Sequence, residues 1–326
     1  MNVKENVLKF LEEHKDEFVS GEEIAESIGV TRSSVWKAIS SFRNEGYDIE
    51  AVTRRGYRLK SESNMLTSGG IGSLMKYADP SLLTVYQETD STNTRIKAAA
   101  LKGAPNGTAA VANEQSDGRG RLGRKFVSPP GSGIYLSILL RPDTDLEGAI
   151  PITTAASVAV CEAVRDLTGM DAGIKWVNDV YIGSKKICGI LTEAVTDIET
   201  GGLDSIVAGI GINYSYNPDA YPEDLHERIG WIYEDTKPVV SRNELAAAVI
   251  DRTLYYADHL SERAFIEPYK RYSIIIGRNI ICTRGNEKFE ARAVGIDDNG
   301  GLIVDTDTGR RTLSSGEISV RWKKDR

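Results

Sequence analysis

The residues best suited to chemistry lie in Asp117–Phe126, Asp-Gly-Arg-Gly-Arg-Leu-Gly-Arg-Lys-Phe. Glycine lets a backbone approach a ligand closely, and guanidinium forks pair bidentately with phosphate or carboxylate. The segment has too little apolar side chain to offset its own ordering entropy, so it is expected to order around an anion. It is not a Walker loop, and taken alone a solvated basic turn explains it equally well. Other polar groups fall at expected strand ends. Asp90-Ser-Thr-Asn93 sets the Ser91 and Thr92 hydroxyls at a helix N-terminus, where capping alone accounts for one of them. Gln115 precedes the Gly/Arg loop. Lys175-Trp-Val-Asn-Asp179 reads as a strand running into Asn-Asp, or as an ordinary hairpin turn. Lys186–Glu193 opens on a lysine and holds Gly189 inside a strand, a position that marks close approach of a ligand or another backbone. Gly209-Ile-Gly-Ile-Asn213 has no helix after its glycines, which makes a dinucleotide fingerprint weak.

No Ser/His/Asp arrangement is visible, and His14, His226 and His259 are far apart, so neither a covalent nucleophile nor a protein-held zinc site is indicated. A cation-rich site of this kind acts by charge and positioning on a phosphoryl or adenylyl transition state. Cys161, Cys188 and Cys282 are odd in number and widely spaced, which argues against a disulfide framework. No apolar run reaches the roughly 20 residues of a membrane span and the N-terminus lacks a secretory core, so a cytoplasmic protein without a membrane partner is expected.

The elements that must position these groups divide the chain in three. Residues 1–63 read as three helices and a hairpin. Ser20-Gly-Glu-Glu23 is a capping box, Thr31 caps a third helix that Gly46 ends, and Thr53–Gly56 turns a wing. Residues 31–60 carry seven basic groups against three acids, whereas residues 1–30 carry three against eight. A net charge of −7 therefore hides a basic recognition helix and wing. Arg32, Ser33, Ser34 and Lys37 are the expected groove-facing residues, with Arg54 and Arg55 on the wing. After a polar linker at Ser61–Asn64, residues 64–271 read as an α+β domain whose mixed sheet has helices on one face. Within it, Tyr214–Trp231 is irregular enough to be a lid. Residues 272–326 read as short strands with Gly turns, a small barrel.

In this order, Asp90–Asn93, Gly118–Arg124, Lys175–Asp179, Lys186–Glu193 and Gly209–Asn213 resemble the signature of biotin–protein ligases. With the winged helix, the chain is similar to the bifunctional bacterial type that is also the biotin operon repressor. The resemblance implies a multidomain protein: a winged helix-turn-helix, a class II synthetase-like catalytic domain and an SH3-like β-barrel. It implies biotin and ATP as substrates with Mg2+ brought by ATP, biotinyl-5′-AMP as intermediate, and transfer to a lysine of a biotin carboxyl carrier domain. It implies biotin contacts from Ser91, Thr92, Asn93, Gln115, Gly118, Arg119, Arg121, Lys186 and Gly189. Nucleotide contacts fall to Arg121, Arg124, Phe126, Lys175, Asn178 and Asn213, and the catalytic set to Arg121, Lys186 and Asp179, the last as acid/base or Mg-linked carboxylate. Operator DNA and a homodimer formed by the adenylate-bound protein are the implied partners. Leu122, Phe126 and Val177 depart from the arginine, tryptophan and proline common in the family. The alternatives are a ligand-sensing regulator without useful catalysis and a lipoate–protein ligase.

Overall fold

The computed structural model describes residues 3–44, 47–60, 65–145, 148–196, 201–284, 287–314 and 318–322; the linker read at Ser61–Asn64 and the helix stop at Gly46 lie outside them. Three helices, α1 (Val3–Glu13), α2 (Gly21–Ile28) and α3 (Arg32–Asn44), precede a hairpin of β1 (Ile49–Val52) and β2 (Gly56–Leu59). Local chemistry sets their ends. Glu23 N donates to Ser20 Oγ at 3.0 Å and Ser20 N to the Glu23 carboxylate at 3.4 Å, and Gly29 ends α2 with φ 69°. Thr31 Oγ1 accepts from Ser34 N at 3.2 Å to start α3. The apolar stripes then meet as one core that includes Leu11, Ile24, Val35, Ile39 and Phe42.

The central part runs α4 (Ser68–Gly72), β3 (Leu83–Thr89), α5 (Thr92–Ala100), β4 (Ala109–Gln115), β5 (Gly133–Leu140), α6 (Ile152–Thr168), β6 (Ala172–Lys175), β7 (Asp179–Ile182), β8 (Lys185–Thr196), β9 (Leu203–Asn213), α7 (Arg242–Asp258) and α8 (Ile266–Tyr272). Its seven strands lie in the order β3-β4-β5-β9-β8-β7-β6, parallel between β3 and β4 and antiparallel elsewhere. Strand alternation sorts the two faces. Val111, Ile138, Ala208 and Ile210 belong to the core shared with α6, α7 and α8. Ala110, Leu139 and Val207 point the other way and receive Ile96 and Ala100 of α5. The expectation of helices on one face is therefore corrected: α5 covers the opposite face, and that face carries the site.

A third sheet of five antiparallel strands, ordered β13-β12-β11-β10-β14, follows: β10 (Asn279–Arg284), β11 (Glu287–Ile296), β12 (Leu302–Thr306), β13 (Gly309–Leu313) and β14 (Ile318–Trp322). Trp176 Nε1 donates to Gly300 O at 3.0 Å, tying the β6–β7 turn to this sheet. At the other end, the segment after the winged helix is clamped by buried amides. Asn113 on β4 accepts from Leu66 N at 3.2 Å and donates to Leu66 O, while Asn243 on α7 accepts from Thr67 N at 3.1 Å and donates to Met65 O. No helix of the described residues is long and apolar enough to cross a membrane.

Candidate active site and nucleic-acid interface

Glycines in the middle of the sheet create the space for a site. On the α5 face, Gly189 of β8 lies directly across from Gly211 of β9, and Gly209 lies across from Ser137 of β5. A Cβ on Gly211 would stand 2.4 Å from the Phe126 ring, one on Gly209 would stand 2.0 Å from Asn93 Oδ1, and one on Gly189 would stand 2.9 Å from Lys186 Nζ. The three positions thus form a trough into which a loop residue, a helix residue and a lysine are lowered. Above it opens a cavity of about 680 Å³, within the range of small-molecule and cofactor sites.

The floor is a buried polar network. Gln115 Oε1 accepts from Thr92 N at 2.8 Å and from Thr92 Oγ1 at 3.1 Å, and Gln115 Nε2 donates to Ser128 Oγ at 2.9 Å. Ser137 Oγ lies 2.7 Å from Thr92 Oγ1 and 2.6 Å from Asn93 Oδ1. Asn93 Nδ2 donates to Glu193 at 2.7 Å, and Lys97 Nζ pairs with the same carboxylate. Burial pushes the Glu193 carboxyl up, but the hydrogen bonds from Lys97 and Asn93 outweigh it and hold it below its ordinary value. Ser91 is the N-cap of α5 yet its side chain makes no capping bond, so its buried hydroxyl in the cavity wall has no helix-capping duty.

The Gly/Arg loop carries backbone pairing of its own. Phe126 N donates to Gly118 O at 2.8 Å and Gly120 N to Arg124 O at 2.7 Å, so it folds as a narrow ladder. The ladder turns at Arg121–Gly123, with Leu122 exposed and at φ 59°. Arg119, Arg121, Arg124 and Phe126 line the cavity. Gly118 is not part of the lining, and a Cβ there would come within 2.3 Å of Phe126 O. Arg121 Nη1 donates to Asn178 Oδ1 at 3.0 Å, and Asn178 Nδ2 donates to Ile190 O at 2.7 Å, so the loop tip is tied to the sheet through one amide. Burial lowers the Arg121 pKa, and the Asp179 carboxylate acts against that shift.

Lys175–Asp179 is the hairpin turn between β6 and β7, the second of the two sequence readings. Proline is not what holds it. Val177 O accepts from Tyr269 Oη at 3.1 Å and from Ser157 Oγ at 3.2 Å, and the indole of Trp176 is buried. Asp179 Oδ1 pairs with Lys186 Nζ at 2.5 Å, while Lys175 is buried with its ammonium 5.5 Å over the Tyr181 ring. Asn213 also reaches the cavity, donating to Gly230 O at 3.1 Å and accepting from Tyr221 Oη at 3.2 Å. Tyr221, Leu225, Arg228 and Ile229 wall the cavity from the irregular segment read as a lid. Burial raises the Tyr221 phenol to about 12. The sequence reading named neither these four nor Ser137, although Ser137 is the one serine inside the apolar run Ile134–Leu140.

The lining holds seven cations (Arg119, Arg121, Arg124, Lys125, Lys175, Lys186 and Arg228) against the carboxylates Asp179 and Glu227. Such an excess fits a polyphosphate or two anions brought together. The expected DNA-contacting residues lie on a separate surface. Arg32, Ser33, Lys37 and Arg54 are exposed. The hydroxyls of Ser33 and Ser34 lie 2.9 and 2.8 Å from Thr31 Oγ1, at the cap. Arg54 holds the wing turn at φ 69°, and the Arg55 guanidinium lies 4.1 Å over the Phe18 ring.

Three family models match the chain in succession: an HTH domain over residues 3–58, the biotin/lipoate A/B protein ligase family over 85–213, and the biotin protein ligase C-terminal domain over 275–321. The bifunctional ligase/repressor BirA of Bacillus subtilis is 32% identical over 98% of this chain and 98% of its own length. That of Escherichia coli is 32% identical over 94% of each. Among solved structures, the biotin protein ligase of Aquifex aeolicus in complex with biotin and ATP is 31% identical, with a TM-score of 0.63 over 74% of this chain and 99% of that one. Full-length identity to the two repressors, matched segment by segment by the domain models, means that the chain belongs to the biotin–protein ligase family, in its bifunctional ligase/repressor branch.

Proposed function

We propose that the cavity joins biotin to ATP and that the product both modifies a carrier protein and controls DNA binding. The carrying observation is the juxtaposition of a glycine trough with seven cations in one cavity on the sheet. The chain is a biotin–protein ligase and a repressor with biotin and ATP as its substrates. A biotin carboxylate oxygen attacks the α-phosphorus of ATP and pyrophosphate leaves. The amine of a carrier lysine then attacks the carbonyl carbon of biotinyl-5′-AMP, releasing AMP.

Both first-step reactants are anions, so their approach has to be screened. Arg121, tethered at the loop tip, and Lys186, beside Asp179, supply that charge at the carboxylate and α-phosphate. Preorganised donors of this kind are worth about 2.7–4 kcal/mol each in the transition state. Ser91, Thr92, Gln115, Gly118, Arg119 and Gly189 belong to the biotin end, with Asn93 behind them as a positioning residue. Arg124, Phe126, Lys175, Asn178 and Asn213 belong to the nucleotide end. Mg2+ would come with the ATP phosphates, and Asp179 is the carboxylate that would help hold it. Loop and lid exclude water from an anhydride that water would hydrolyse.

We further read residues 1–63 as the operator-binding unit, 64–271 as a class II synthetase-like catalytic domain and 272–326 as an SH3-like barrel. Adenylate-dependent pairing of central domains would bring two winged helices onto half-sites about 34–36 Å apart or multiples of that. In the test, the protein is incubated with biotin, ATP and Mg2+, and pyrophosphate release, retained biotinyl-AMP, sedimentation and DNA affinity are read together. One pyrophosphate per retained adenylate, with a dimer and tighter DNA binding, is expected. Pyrophosphate without retained adenylate would overturn the regulatory half; no pyrophosphate would overturn the ligase half.

A further inference from the structure

One side chain on α3 has no duty within its own domain. Trp36 is 59% exposed, the fifth residue of a 13-residue helix whose buried side is Val35, Ala38, Ile39 and Phe42. Among the described residues, no hydrogen bond, ring or cation engages it. An indole left in water forgoes the burial of a large apolar surface, so its place on an otherwise polar helix face calls for a partner. At about 3.6 residues per turn, Arg32, Trp36 and Arg43 share one side of that face, with Ser33 and Lys37 beside them. All five are exposed.

Cations on both sides of the ring suit a polyanion and disfavour an apolar protein partner. In a helix-turn-helix, residues in the first turns of the second helix reach base edges in the major groove. On those edges the apolar feature is the thymine 5-methyl group.

We propose that Trp36 is a base-reading residue: its indole packs against a thymine methyl in the major groove and sets specificity at that pair, while Arg32, Lys37 and Arg43 hold the flanking phosphates. The proposal rests on the operator-binding reading above. Losing one methyl contact weakens binding by about 4-fold, and losing the whole contact at one base pair by roughly 10- to 100-fold.

The test uses the full chain loaded with biotin and Mg-ATP. Duplexes are selected from a random pool, then each thymine of the winning duplex is replaced by deoxyuridine. Wild type is expected to weaken by about 4-fold at one or two positions. Trp36→Ala is expected to bind the selected duplex roughly 10- to 100-fold less tightly, to keep its affinity for a scrambled duplex, and to ignore the deoxyuridine changes. Trp36→Phe should recover part of the discrimination. Unchanged biotin transfer and melting in both variants show that the fold is intact. Discrimination equal to wild type in Trp36→Ala, or equal weakening on selected and scrambled duplexes, overturns the proposal. If wild type enriches no sequence, the operator-binding reading falls and the proposal with it.

Discussion

Gly209 and Gly211 sit two residues apart on one strand and one face, yet alanine at each should do different things. At Gly209 the new Cβ would meet Asn93 Oδ1 at 2.0 Å, with Asn93 Cγ and Nδ2 at 2.8 and 2.9 Å. Asn93 is 5% exposed and held by Ser137 and Glu193, so it cannot move without breaking buried hydrogen bonds. Overpacking costs about 1–3 kcal/mol and a broken buried bond about 0.5–1.5 kcal/mol more. At Gly211 the Cβ would meet the Phe126 ring at 2.4 Å, but that ring is half-buried at the end of a surface loop and can swing away. Its fold should lose less than about 1 kcal/mol while the cavity loses its ring. At about 2–4 °C per kcal/mol, Gly209→Ala should melt roughly 3–18 °C below wild type and Gly211→Ala within a few degrees of it. Both should lose biotinyl-AMP synthesis when assayed by pyrophosphate release below their melting points. Equal melting temperatures, or a low-melting Gly211→Ala with normal synthesis, would refute the trough as described.

Arg121→Ala should shorten the lifetime of bound biotinyl-AMP by roughly 10- to 150-fold, the worth of one hydrogen bond to a charged group; an unchanged off-rate in a chase experiment counts against that role. Lys186→Ala should slow adenylation far more than it lowers the melting point, because the Asp179 it leaves behind is 23% exposed and open to water. A collapsed melt with normal residual turnover would reject that reading. Glu193 has a folded pKa below the ordinary 4.5, so its stabilisation is full above that value and lost as pH falls through the folded one. Wild type should therefore lose stability more steeply than Glu193→Gln on acidification below about pH 5, read by denaturant titration at each pH; parallel profiles would contradict the role of the Lys97 pair.

Features fixed by neighbouring residues were legible in the sequence. The Ser20 capping box, the Thr31 cap and the wing turn depend on residues within a few positions, and each forms as read. Long-range geometry was not legible. The stripe of α5 is only Ile96 and Ala100, and periodicity does not say which face of a sheet such a helix covers. The four-residue β7 begins inside a turn signal, so its Asp-Val-Tyr-Ile run gave no separate strand. Order in the Gly/Arg loop comes from backbone bonds that leave no mark on side-chain pattern. The ligand-site residues named from sequence, Gly118 apart, converge on one cavity. What sequence concealed was their division of labour, because Asn93 and Asn213 already spend both amide ends on the protein itself.

The most direct measurement follows labelled biotin. The protein is incubated with radiolabelled biotin, Mg-ATP and a biotin carboxyl carrier domain, in parallel with a carrier whose acceptor lysine is replaced. The account predicts label on the lysine-bearing carrier alone. No transfer to either carrier, with DNA binding that still responds to biotin, would mean a sensor that kept the cavity and lost the chemistry.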